Sequence, residues 1–150
     1  MNPDRALVAQ FLHGSREPLA LASNPLARDL NGSLLQLDEA AGTALLAFEP
    51  PERFLQGAQL LQGGISATLL DFAMAFAAHA KLEAAGSPQS FATASLTVHL
   101  LRPASAARYL VRGHIVRLGG KLGFAEAQMT REGDARPCAT ASAVLALLDA

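Results

Sequence analysis

Cysteine and tryptophan are scarce in this chain. The sequence contains one cysteine, Cys138, and no tryptophan. A single cysteine excludes an intrachain disulfide and any metal site built on several cysteines. The histidines on the later strands, His99 and His114, have no second ligand at metal spacing, so we expect no metal ion and no bound cofactor. A lone thiol fits a reducing compartment, and we expect a cytoplasmic protein.

An excess of charge of either sign is also missing. Lys and Arg number 12 and Asp and Glu number 13, which gives a net charge of −1 and no general attraction to nucleic acid. Only 17% of the residues are charged and 51% are hydrophobic, so we expect a partner subunit to cover apolar surface. The apolar run over residues 65–80 is too short for a membrane span and contains Asp71, so no membrane partner is predicted.

The order of predicted elements defines an α+β class. A chain of 150 residues predicts a single domain over residues 1–150. Periodicity and turn residues predict a helix at about 3–13, strands at 33–37 and 43–48, a helix at about 63–84, and strands at 91–101, 108–118, 122–129 and 137–148. The last strands are interpreted as a meander of hairpins. Residues 17–30 are predicted to be irregular and to lie over the core or at a pocket mouth. An antiparallel sheet wrapped around one buried helix satisfies this order.

The long predicted helix carries one carboxylate, Asp71. Between residues 65 and 80 the only other ionisable side chain is His79, interpreted as an ordinary satisfied or exposed histidine. A helix that is apolar all round is normally buried, and a buried carboxylate is costly unless it is paired or functional. Asp71 is therefore the first functional candidate. The alternatives are a buried polar residue bonded to Thr68 and a charge at an interface.

Two stretches of this sequence resemble a known family. Residues 62–71 read Gln-Gly-Gly-Ile-Ser-Ala-Thr-Leu-Leu-Asp and resemble the helix motif of hotdog-fold acyl-CoA thioesterases of the phenylacetate-degradation (PaaI-like) type. That motif typically reads His-Gly-Gly, then apolar or small residues, then Asp or Glu. Residues 93–104 resemble the family's next strand, which often begins with Thr or Ser and ends in Arg-Pro-Ala. The resemblance covers about residues 26–148 and implies a hotdog fold that hydrolyses acyl-CoA.

The resemblance also implies roles for individual residues. Asp71 would be the general base or nucleophile, and Thr93 the hydroxyl that assists it. An ordinary β-branched strand residue is an equally open interpretation of Thr93. The backbone N–H groups of Gly63 and Gly64, at the positive end of the helix, would hold the oxyanion, although the two glycines alone also fit a tight turn. Two helical turns place Gly63 about 12 Å from Asp71, too far to serve one carbonyl. The resemblance therefore implies that Asp71 faces the partner's Gly63 in a homodimer, with two dimers forming a tetramer.

Two glutamines stand where the family has other residues. Gln62 replaces the usual histidine before the glycines, and Gln56 falls where an asparagine is often found. A glutamine amide can orient a thioester carbonyl but cannot act as an acid or a base. Substrate contact and a surface position are both open for Gln62, and a solvated loop position is favoured for Gln56. A binding protein that holds acyl-CoA or a small ligand without turnover is the alternative function. A third option, a dehydratase or hydratase on the same fold, would need a paired Asp and His on one loop-helix segment, and this chain has no such pair.

Coenzyme A would enter only as part of the substrate, and its phosphates need cations. Arg102, Arg117 and Lys121 flank strand ends and the Gly119-Gly120 turn, where the resembling family tends to hold them. Each is a candidate contact for coenzyme A. The alternative for each one is an ordinary solubilising charge.

Overall fold

A computed structural model of the chain describes residues 2–150. Its elements are α1 (Pro3–His13), β1 (Leu19–Ala20), α2 (Pro25–Asp29), β2 (Ser33–Asp38), β3 (Thr43–Phe48), α3 (Gly63–Ala84), β4 (Ser90–Leu100), β5 (Tyr109–Leu118), β6 (Leu122–Arg131) and β7 (Pro137–Leu148). The long central helix and the short N-terminal helix of the predicted fold are both present. Two elements, β1 and α2, lie inside the stretch that was predicted to be irregular.

The strands form one antiparallel sheet in the order β1-β2-β3-β5-β6-β7-β4. The predicted meander is correct for β5, β6 and β7 but wrong for β4. Strand β3 takes the place beside β5, with Thr43 opposite His114, so β4 cannot pair there. Helix α3 instead carries the chain across the sheet, and β4 pairs with β7 at the far edge. Within residues 2–150 the other edge of β4 has no strand beside it.

Helix α3 forms the centre of the core because small residues let it approach the sheet closely. A Cβ atom built on Gly113 of β5 would lie 2.1 Å from the carbonyl oxygen of Ala73. Leu69, Leu70 and Phe76 of α3 are fully buried. Burial of each such side chain contributes about 1.5–3 kcal/mol. The predicted α+β hotdog architecture is confirmed, with the antiparallel sheet wrapped around this helix.

The same helix is long and apolar enough to cross a membrane. It has 22 residues, whereas the apolar run over residues 65–80 is by itself too short for a span. Inside the structure, 61% of its most apolar stretch is buried. Burial of that extent is what the core helix of a globular fold requires.

Helix α1 packs on α3 and closes one end of the core. Its N-terminus is capped by Asn2, whose side chain accepts hydrogen bonds from the backbone N–H groups of Asp4 and Arg5. Val8 and Phe11 are buried on its inner face. Arg5 reaches the other end of α3 and donates to the carbonyl oxygens of Leu82 and Ser87. These bonds connect α1 to the C-terminal end of α3, where Leu82 lies in the last turn and Ser87 in the loop that follows.

Candidate active site

Asp71 and Thr93 meet between the central helix and the edge strand. The Thr93 hydroxyl donates a hydrogen bond of 2.9 Å to Asp71 Oδ1. Thr93 lies opposite Leu145, a core residue of β7, so its side chain points to the helix side of the sheet. Asp71 itself is half-buried rather than buried, because it faces the open edge of β4. The alternative partner, Thr68, donates its hydroxyl to the Gly64 carbonyl oxygen at 2.9 Å.

A cleft of about 250 Å³ opens beside Asp71. Its lining consists of Leu26, Ala67, Thr68, Asp71, Phe72 and Leu96. Leu26 and Leu96 stand at its two sides with 44% and 39% of their surface exposed. Phe72 is supported from behind by Phe48, with ring centroids 5.8 Å apart. The carboxylate of Asp71 therefore opens into an apolar groove.

The N-terminus of α3 forms a second cleft, of about 290 Å³. It is lined by the loop before the helix, the first turn of the helix and the end of β4 with the loop after it: Gln56, Leu60, Leu61, Gly63, Ser66, Leu100, Leu101, Arg102, Pro103 and Ala104. Gln62 is the residue before the helix, is exposed, and makes no side-chain cap bond. The first amides of a helix have no acceptor within the helix itself, so those of Gly63 and Gly64 can hold an anion. A Cβ on Gly64 would meet nothing within 4 Å, so the space beside it is open.

The two clefts contain different halves of the predicted site. Strand β4 connects them, since Thr93 contacts Asp71 and Leu100 packs 2.8 Å from the position of a Gly63 Cβ. Leu100 lies seven positions after Thr93, which is about 23 Å along a strand. Within one chain, Asp71 and the helix amides therefore cannot act on the same carbonyl.

Gln56 and Arg102 both line the cleft at the helix N-terminus. The Gln56 Oε1 atom accepts a hydrogen bond from the backbone N–H of Ala58 and so stabilises its own loop. Arg102 Nη1 is buried, and no hydrogen-bond partner for it exists among residues 2–150. A guanidinium in that situation can accommodate an anion. Arg117 and Lys121 are exposed at the β5–β6 turn and line neither cleft.

Three residues of interest were not predicted from the sequence. Ser66 is buried at the helix N-terminus and lines its cleft. Leu26 lies on α2, and the signal for that helix was Asn24 followed by Pro25, an N-cap and a first-turn proline. The third is His79, and the sequence signal for its burial was its position on a helix that is apolar all round.

His79 is neither exposed nor satisfied, contrary to its interpretation from the sequence. Only 5% of its surface is exposed, and its Nδ1 atom has no hydrogen-bond partner within the described chain. Its ring lies 4.7 Å from that of Phe91 and 6.2 Å from that of Phe76. Burial, with a smaller contribution from the positive charge of Arg5, lowers the pKa of His79 to about 4. It is a neutral core residue at physiological pH, away from the Asp71 cleft lining.

The sequence profile of the thioesterase superfamily matches residues 58–138. This chain belongs to the thioesterase superfamily and is a thioester hydrolase by class. The matched residues include both glycines of the helix N-terminus, Asp71 and Thr93. Among curated protein sequences, none matches the chain.

Solved structures place the chain among hotdog-fold thioesterases of the PaaI type. A thioesterase family protein from Silicibacter pomeroyi is 28% identical with a TM-score of 0.78, over 95% of this chain and 99% of that one. A phenylacetic acid degradation-related protein from Ralstonia eutropha is 26% identical with a TM-score of 0.76, over 93% and 98%. The PaaI protein from the phenylacetic acid degradation operon of E. coli is 16% identical with a TM-score of 0.76, over 97% and 94%, and shares the fold.

Proposed function

We propose that this protein is a cytoplasmic acyl-CoA thioesterase with Asp71 as general base or nucleophile. The observation that carries the proposal is the hydrogen bond from Thr93 to Asp71 beside an apolar cleft. One carboxylate oxygen is held by the hydroxyl, which leaves the other free to act on a water molecule or on the thioester. The similarity to a thioesterase family protein from Silicibacter pomeroyi agrees with a thioester as the substrate.

The chemistry requires only a base and an oxyanion site. Asp71 takes a proton from water, and the water oxygen bonds to the thioester carbon. The carbonyl oxygen becomes an oxyanion and accepts hydrogen bonds from the backbone amides of Gly63 and Gly64 of the partner subunit. Collapse of this intermediate breaks the C–S bond and releases the thiolate, which takes up the proton from Asp71. The products are a carboxylic acid and coenzyme A. A thiolate is a good leaving group, so the Gln62 amide can orient the carbonyl without acting as an acid.

We infer that the complete site is formed by two subunits paired through β4. The free edge of this strand exposes Leu96 and Leu100, and unpaired edges are templates for a further strand. In an antiparallel pair related by a two-fold axis, residues equally far from the axis face each other. An axis near Thr97, about midway between Thr93 and Leu100, would bring each Asp71 cleft against the helix N-terminus of the partner.

Coenzyme A would then lie along the cleft at the helix N-terminus. Arg102 is the candidate that supports this best, because its Nη1 atom is buried without a partner beside Gly63. Arg117 and Lys121 are proposed as more distant contacts for the phosphates. Association of two such dimers into a tetramer remains a prediction of the family resemblance.

A panel of acyl-CoA esters with detection of the released thiol tests the proposal. The wild-type protein is expected to hydrolyse at least one ester, and Asp71→Asn to be slower by about 10²–10⁴-fold, the usual contribution of a general base. Equal rates for the two proteins would contradict the role of Asp71.

The second candidate is a binding protein without turnover, and the replacement of histidine by Gln62 favours it. Calorimetric titration of wild-type protein with the same esters separates the two functions. Binding of CoA esters without release of any thiol would support the binding protein and contradict the hydrolase.

A further inference from the structure

We propose that the hydroxyl group of Ser66 donates a hydrogen bond to the thioester carbonyl oxygen and is a catalytic residue of the site at the N-terminus of α3. This inference rests on the proposed function, since it adds a third donor to the oxyanion site of the Gly63 and Gly64 amides. Only 3% of the surface of Ser66 is exposed, although serine is a polar residue that is mostly found at protein surfaces.

Helix geometry places the side chain of Ser66 beside Gly63. Residues three positions apart on a helix lie on the same face, and a helical side chain leans back towards the turn that precedes it. The side chain of Ser66 therefore lies over Gly63, which has no side chain of its own to fill the space. Both residues line the cleft at the helix N-terminus. The hydroxyl group and the first amides of the helix are therefore open to one cleft.

The hydroxyl group of Ser66 has no acceptor on its own helix. A helical serine or threonine often donates to the carbonyl oxygen four residues earlier, as Thr68 does to Gly64 at 2.9 Å. The equivalent acceptor for Ser66 is the carbonyl oxygen of Gln62, which already accepts the backbone N–H groups of Ile65 at 2.9 Å and of Ser66 at 3.2 Å. A carbonyl oxygen has two lone pairs, so this acceptor is fully used. Within residues 2–150 the Ser66 hydroxyl forms no hydrogen bond.

The Ser66 oxygen is also accessible from the cleft. Protein atoms do not enclose it, in contrast to the unpartnered Nη1 atom of Arg102 in the lining of the same cleft. A hydroxyl without an acceptor in its own chain is free to donate to a substrate oxygen. Because burial holds the Ser66 side chain in place, this donor is preorganised, whereas the amide of the exposed Gln62 is not.

The hydrogen bond from Ser66 strengthens as the reaction proceeds. Attack by water places negative charge on the carbonyl oxygen, and a hydrogen bond to an ionised acceptor is shorter and stronger than one to a neutral acceptor. The hydroxyl therefore stabilises the transition state more than the bound ester. It keeps its own proton throughout, and the proton removed from water is carried by the partner subunit's Asp71.

Thiol release by Ser66→Ala tests this role, with the acyl-CoA ester that wild type hydrolyses fastest. The expected kcat is lower by about 10²-fold, the contribution of one oxyanion donor, and KM is little changed. The free energy of unfolding should not fall, since the hydroxyl has no partner within the chain and alanine is the better helix former. The matched control is Ser142→Ala, an exposed serine between the buried Ala141 and Ala143 on β7, which should keep both the rate and the stability of wild type.

A mixed dimer of one Ser66→Ala chain and one Asp71→Asn chain assigns the hydroxyl to a particular site. If Ser66 serves the site that contains the partner subunit's Asp71, this dimer, purified through two different tags, has one site with both defects and one site with neither. About half of the wild-type activity per dimer is expected. Activity as low as that of the two parent homodimers would overturn the inference.

The remaining outcomes separate the inference from the proposed function. Hydrolysis by wild type with an unchanged kcat in Ser66→Ala would overturn the inference while the proposed function stands. The same follows if the rate of Ser66→Ala falls only at protein concentrations where size-exclusion chromatography shows monomers, because the hydroxyl would then bond the partner subunit rather than the substrate. Release of no thiol by wild type would contradict the proposed function, and the inference would fall with it.

Discussion

Lowering the pH from 7 to 5 should destabilise this protein through His79, the buried histidine of α3. Its ring lies among Phe76 and Phe91, and Nδ1 has no partner to stabilise a positive charge. The positive charge of Arg5 also opposes protonation of the His79 ring. In the unfolded chain the same imidazole is free to accept a proton. Acid therefore stabilises the unfolded state more than the folded state.

The size of the effect follows from the two pKa values. The pKa of His79 is about 4 in the folded chain against 6.5 for a free histidine. The unfolded state binds more protons between these two pKa values. The contribution of His79 to the free energy of unfolding is therefore complete above pH 6.5 and is lost as the pH falls towards 4. At 1.36 kcal/mol per pKa unit the whole change is about 3 kcal/mol, of which about 2 kcal/mol falls between pH 7 and pH 5.

Urea denaturation followed by circular dichroism measures this contribution. The free energy of unfolding is determined at pH 7 and pH 5 for wild type and for His79→Leu, at one protein concentration so that association does not differ. The loss on acidification should be about 2 kcal/mol smaller in His79→Leu, because the variant has no imidazole to titrate. His114→Gln, at an exposed position, should behave like wild type. Equal losses in wild type and His79→Leu would refute the reasoning.

Two further substitutions test the site and the core. Thr93→Val removes the hydroxyl that positions Asp71 and should lower kcat by about ten- to a hundredfold with little change in KM, since a hydrogen bond to a charged group is worth about 1.5–3 kcal/mol. Thr93→Ser should restore most of the rate. Unchanged kinetics in the valine variant would exclude a positioning role for Thr93. Gly113→Ala places a Cβ 2.1 Å from the carbonyl oxygen of Ala73 and should lower the free energy of unfolding, measured by urea denaturation, by about 1–3 kcal/mol. The control Gly120→Ala, whose Cβ would meet nothing within 4 Å, should leave the stability unchanged. Equal stability of the two variants would contradict the close packing of α3 on β5.

Local signals in the sequence were sufficient for the two longer helices, α1 and α3, and for most strands. The apolar run with one aspartate predicted α3, and the resemblance brought Asp71 and Thr93 into one hypothesis before their contact was known. The place of β4 was not predictable in the same way. Strand pairing is non-local, and neither the composition of β4 nor its length distinguishes an edge beside β7 from a hairpin with β5.

Burial was the property that the sequence predicted least well. Asp71 lies on an apolar helix but is only half-buried, because the sheet edge beside it is open. His79 lies on the same helix and is almost completely buried. Helical periodicity could not separate the two, since apolar residues surround both on every face. The short helix α2 was missed because two prolines within residues 17–30 outweighed its capping signal.

The central claim is that each active site combines Asp71 of one subunit with the helix N-terminus of the other. Two variants, each defective in one half, test it. Asp71→Asn removes the base, and Gly64→Leu fills the open space beside the helix amides, where a Cβ atom meets nothing within 4 Å. Each homodimer alone is expected to be inactive. Co-expressed with two different tags and purified through both, the mixed dimer has one site with both defects and one site with neither.

Thiol release by this mixed dimer is the most direct measurement. The shared-site account predicts about half of the wild-type activity per dimer, because one of the two symmetric sites is intact. A mixed dimer as inactive as its two parents would contradict the account and place the whole site within a single chain.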